Sequence, residues 1–159
     1  MVSDIFIEED KYAPKFGPDS DVDSDLDEEE WAGWLNYKHS VEKSKGFGLI
    51  EVPKHPVFGL IRPFELDIVD DDYAEHLRDC IHFAFNWFNE RAPEDFGKLE
   101  FLKTLMVNTE GPPVWFYITL EAKNTKSGRS SVFEIKVFKW LRGDNSMSIS
   151  VFRPQRQYD

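Results

Sequence analysis

His76 and Cys80 stand four residues apart in DDDYAEHLRDCIHFAFNWFNER, residues 70–91. On a helix that spacing puts a thiol and an imidazole on one side, so a nucleophile with its base, or half a metal site, can be drawn. The chain has no second cysteine to complete a tetrahedral set, and Cys80 lies beside an apolar stripe. A packed thiol, small and hydrophobic, is the expectation. His82 points to the polar side and reads as ordinary surface. Asp70, Asp71 and Asp72 could be paired carboxylates, yet at a helix start they are accounted for by capping and by the dipole. Lys123, Lys126 and Arg129 crowd into one turn-forming stretch and read as a solvated hairpin tip. There is no Gly-rich phosphate loop. These residues support neither catalysis nor a cofactor or metal, so an enzyme is not expected.

The element that must position all of this is the helix over residues 70–91. Tyr73, Leu77, Ile81, Ala84 and Phe88 recur at helical steps and make one stripe, widened by Cys80 and Trp87. Phe85 falls off its centre. Glu75, Arg78, Asp79, His82, Asn86, Asn89 and Glu90 lie opposite, and Pro93 ends the helix. Residues 58–68 predict a short strand or extended lead-in. Four strands should follow: 99–107, 114–122, 132–140 and a shorter 146–152. In the second, Val114, Phe116, Ile118 and Leu120 alternate with Trp115, Tyr117, Thr119 and Glu121. In the third, Phe133, Ile135 and Val137 point inward. Short links rich in Gly, Pro, Asn and Asp imply an antiparallel meander wrapped on one helix, an α+β domain.

The 159 residues suit one domain, and 14 Phe with 5 Trp can fill its core. Of the net charge of −11, residues 1–30 carry twelve acidic residues against Lys11 and Lys15, leaving the remainder near neutral. A basic face for nucleic acid is missing. No run approaches the length needed to span a bilayer, and the N-terminus has no basic and apolar leader of secretory type. The expectation is an intracellular protein, cytoplasmic or nuclear, with neither nucleic acid nor membrane as partner. Residues 1–30 read as a disordered acidic leader. In it Ser20 and Ser24, each with an acid three residues on, are phosphorylation candidates. Were the leader to pack, Ile5, Phe6 and Ile7 would do it. Residues 31–57 read as an irregular segment in which Trp31, Trp34 and Leu35 can form one turn of amphipathic helix that docks on the domain or on a partner.

Read in order, these words resemble the plant cystatins of the cystatin/monellin superfamily. Leu77, Arg78, Phe83, Ala84 and Asn89 follow the helix signature of that family loosely. Leu99-Glu100-Phe101, Thr119-Leu120-Glu121 and Phe133-Glu134-Ile135-Lys136-Val137 match its strand words. The resemblance covers about residues 59–152 and implies, for residues 58–159, a long helix gripped by a curved antiparallel sheet. It also implies a three-part wedge against papain-like cysteine proteases. Gly59 would stand before the first strand, Asn108-Thr109-Glu110-Gly111-Pro112-Pro113 in the first hairpin loop, and Trp140 in the second. The family's Q-x-V-x-G loop has lost its Gln and Val here, and Lys139 replaces the proline before the tryptophan. Glu110 would carry a charge into the cleft, which is unfavourable if unpaired.

Two functions stay open: weak inhibition of a papain-like protease, or a non-inhibitory protein–protein interaction module, monomeric or a domain-swapped dimer. A third reading, a hot-dog or nuclear-transport-factor-like fold with a ligand pocket between helix and sheet, would need a polar group in that pocket. The inward faces supply none.

Overall fold

The computed structural model describes residues 5–13, 27–50, 52, 61–64, 71–111, 114–140 and 146–156. Two helices and five strands alternate as α1 (Glu28–Ser44), β1 (Arg62–Pro63), α2 (Asp71–Arg91), β2 (Leu99–Glu110), β3 (Val114–Asn124), β4 (Ser130–Lys139) and β5 (Met147–Pro154). The strands form one antiparallel sheet in the order β1-β2-β3-β4-β5. The expected α+β meander on a long helix is present. Among the described residues there are two helices, where one was expected.

α2 buries the expected stripe, with Leu77, Cys80, Ile81, Ala84 and Phe88 in one cluster with Phe116, Ile118, Leu120, Phe133, Ile135 and Val137. Phe85 is buried too and packs edge-on to Phe101 and Phe152. It belongs to the core because the sheet covers more of α2 than the stripe alone. Asn89 ties the end of α2 to the start of β2: its amide donates to Leu99 O at 3.0 Å and accepts from Leu99 N–H at 2.9 Å. Two irregularities in the β2–β3 register, at Leu102 and Leu105, bend β2.

On the opposite sheet face, residues 27–50 depart from the expectations of a disordered leader and an irregular 31–57, because Glu28–Ser44 form a helix. Asp27 caps α1, its carboxylate accepting from Glu30 N–H at 2.8 Å, and the acidic first turn suits the helix dipole. Trp34, Tyr37 and Val41 of α1 pack with Phe47, Ile61, Tyr117 and Val151 in a second core. Gly46, at φ 94°, lies so close to the Tyr117 ring that a Cβ would sit 2.5 Å from it. Asn108 donates to the carbonyls of Gly46 and Gly48, fastening the chain after α1 to β2. The acids read as the end of a tail are therefore the start of a helix.

Residues 5–13 form a strap around the β5 edge. Ile7 and Phe152 exchange both backbone hydrogen bonds, at 2.9 and 3.0 Å. On one side Phe6 enters the α2 core beside Phe88, Phe96, Phe133 and Phe152. On the other, Asp10 reaches Lys136 at 2.7 Å and Ser150 at 2.6 Å. This part of the leader is held because it supplies an aromatic to one face and a counter-charge to the other. Ser20 and Ser24 lie outside the described residues. Among the described residues no helix is long and apolar enough to cross a membrane.

Candidate functional site

The antiparallel register decides what meets at the hairpin end of the sheet. Arg62 of β1 stands opposite Thr109, Glu110 opposite Trp115, and Val114 opposite Lys139. The start of β1, the β2–β3 turn and the end of β4 thus share one end. Trp140 follows Lys139 there, and its N–H donates to Ser146 O at 3.1 Å to close the β4–β5 hairpin. Of the expected protease contacts, the structure brings Glu110, Gly111 and Trp140 together. Gly59, Pro112 and Pro113 lie outside the described residues.

Glu110 does not point off the tip. Its carboxylate accepts from the Tyr117 hydroxyl at 2.8 Å, on the side of α1, and the residue is half-buried. The charge expected at the loop is thus held by a hydrogen bond within the domain. Burial first, and Glu110 next, push the Tyr117 hydroxyl far above its ordinary range. Tyr37, whose hydroxyl accepts from Ile61 N–H at 2.8 Å, is pushed up to about 12, mainly by burial. A tyrosine from α1 and one from β3 so brace the base of this end.

Trp140 is 48% exposed and stacks edge-on to Phe138 at 5.4 Å. Phe138 meets Trp115 at 4.8 Å, and Trp115 meets Tyr12 at 5.3 Å. A row of four rings results, running from the hairpin onto the sheet face that carries the strap. Lys136 lies beneath it, with its ammonium 4.6 Å from the Trp115 ring centre and 4.7 Å from that of Tyr117. The ammonium also donates to Asp10 and to Tyr12 O. Burial pulls the Lys136 pKa below the usual lysine range, and Asp10 opposes that shift. Next to Trp140, Lys139 donates to Asp79 of α2 at 2.8 Å, which holds the Asp79 carboxyl below its ordinary value.

Tyr12 and Lys136 were not expected in this row. Lys136 sits in the outward register of β4, where alternation alone reads solvent. The apolar triplet Ile5-Phe6-Ile7 was the one signal that the leader packs.

The remaining chemical candidates resolve by burial. Cys80 is fully buried, and desolvation lifts its thiol to about 12, so the thiolate needed for attack or metal binding is disfavoured. Lys126 and Arg129 lie exposed at the β3–β4 hairpin, as expected of a solvated tip. No group of three His, Cys, Asp or Glu among the described residues could hold a metal ion. No protein-family model matches this chain, and no curated protein matches it either.

Proposed function

We propose that this chain is a non-catalytic, protein-binding domain of cystatin-like architecture, which meets its partner with the hairpin end. The observation that carries this reading is the gathering of the β1 start, the β2–β3 turn and Trp140 at one end of the sheet. That is the arrangement in which cystatins, which the sequence resembles, offer their wedge to papain-like cysteine proteases. Half-exposed Trp140 and exposed Tyr12 are the residue types that dominate interface energetics.

Against a papain-like protease the wedge is weak. With Glu110 turned back to Tyr117, the turn offers Gly111 and two prolines that have no backbone N–H to donate. Inhibition of papain is therefore expected at about micromolar or weaker. A titration of papain with the full chain and with Trp140→Ala tests it, the variant losing roughly tenfold, or about 1.4 kcal/mol. Nanomolar inhibition would overturn the argument from the loop.

The second reading, a non-inhibitory module for another protein, is favoured by one observation. The ring row extends from the hairpin across the strap face, away from the tip. Grafting a Gln-x-Val-x-Gly loop across residues 108–113 separates the two readings. A gain of at least about tenfold supports the wedge; no gain, in a variant that folds, leaves the row as the binding surface.

A further inference from the structure

A groove of about 540 Å³ opens between the first half of α2 and the first half of β2, away from the hairpin end. Its volume lies inside the range of about 300–1,000 Å³ usual for small-molecule sites. Leu77, Ile81 and Phe85 of α2 and Leu99 and Phe101 of β2 give it an apolar lining. Arg78 and His82, one helical turn apart, stand on its α2 side and are exposed, with Thr104 across from them on β2. β1 pairs with Asn108 and Thr109, and Phe64 N–H donates to Val107 O at 2.8 Å, so among the described residues β2 has no strand neighbour on this side from Leu99 to Met106.

We propose that this groove binds a single-chain amphipathic carboxylate, its hydrocarbon against Leu77, Ile81 and Phe85 and its carboxylate on Arg78. The head-group assignment follows from charge. A guanidinium presents a fork of donors matched to a carboxylate, and it faces here a lining otherwise apolar but for His82 and Thr104. Among the described residues the lining has no acidic side chain, so a cationic head would meet no counter-charge there. Two irregularities in β2, at Leu102 and Leu105, oppose a second copy pairing along this edge, because bulges disrupt ladder formation.

Isothermal titration of the full chain with dodecanoate, dodecanol and dodecyltrimethylammonium tests the proposal. Dodecanoate should bind one to one, with the alcohol weaker and the cation weakest. Arg78→Gln should reduce dodecanoate affinity by roughly tenfold, the size of one charge-assisted hydrogen bond, and leave dodecanol unchanged. Thr104→Trp, placed to fill the groove, should abolish binding of both, with an unchanged near-ultraviolet circular dichroism spectrum as the check on folding. Phe85→Trp gives a second readout, its fluorescence shifting when dodecanoate enters. Equal affinity for the three head groups would overturn the proposal, as would binding that survives Thr104→Trp in a folded variant. No heat at millimolar dodecanoate would do the same. So would concentration-dependent dimerisation in sedimentation that Thr104→Trp suppresses, since the groove would then belong to a second copy.

Discussion

On the α2 face of the sheet the buried side chains are apolar apart from Lys139 at the rim, whereas the opposite face buries Asn108, Thr119, Glu134, Lys136 and Arg153. Both faces are dry. One is dry because apolar side chains interlock beneath a helix; on the other, the buried charges are met by opposite charges. Arg153 Nε donates to Glu134 at 3.0 Å and its Nη1 to Glu8 O, while Lys136 is met by Asp10. The two chemistries fail differently. An apolar face loses stability in proportion to the volume removed. A charged one loses little when both members of a pair leave together and much when one is left behind.

Phe88→Ala should produce the largest loss. Its ring stacks on Phe152 at 4.8 Å and touches Phe6 and Phe96, so about 3–5 kcal/mol should go from the urea-unfolding free energy. A loss under about 1 kcal/mol would mean that α2 is not the core of this face. Next, Glu134→Leu removes the counter-charge of the buried Arg153 guanidinium and should cost about 3 kcal/mol, while Glu134→Leu with Arg153→Met should recover most of it. If single and double replacements cost the same, the opposite face is held by packing after all, and the contrast dissolves.

Phe6→Ala comes third, at about 2 kcal/mol for a partly buried ring. Removing residues 1–13 should cost more, because Asp10 and the β5 edge contacts leave with it. A deletion that moves the melting temperature by no more than a degree or two would restore the leader as a mere tail. The smallest effect is on pH. Cys80 rises from 9.0 to about 12, and Tyr37 from 10.0 to about 12, with Tyr117 also raised. Groups with raised folded pKa values contribute stability in full below their unfolded pKa and lose it as pH climbs through the folded value. Stability should therefore fall between about pH 9 and 12, with Cys80 alone contributing a loss of about 1.4 kcal/mol at pH 10. Lys136, whose pKa is lowered, acts in the opposite sense. Cys80→Ala should flatten the early part of the fall seen in denaturation at pH 8, 9 and 10, and an unchanged slope would remove Cys80 from the core.

What could be read in the sequence follows the same divide. The α2 stripe and the inward registers of β3 and β4 were legible because apolar side chains repeat at the period of their element. Alternation says which residues leave the helix face but not whether they then meet water. Lys136 and Tyr117 looked outward-facing, and their burial depends on segments more than 60 residues away. The start of α1 was present as Asp27 followed by Glu30, a capping pattern hidden in a run of acids. At the hairpin end, sequence order named Trp140 and Glu110. It could not reveal that Glu110 bends back to Tyr117, since that requires the register of β2 on β3.

The strap couples the first part of the chain to the last. Asp10 and Ser150 are 140 residues apart, and Ile7 pairs with a residue of the final strand. A ribosome adding about 5–20 residues per second takes on the order of 10 s to make the intervening chain. During that interval Phe6 has no Phe152 to pack on, and the β4 edge has no β5 beside it. Contacts of such sequence separation are slow to form, so strap closure is expected to be the late step of folding. A chain halted before β5 would expose an aromatic and an unpaired sheet edge together, the form in which this protein is most prone to aggregate.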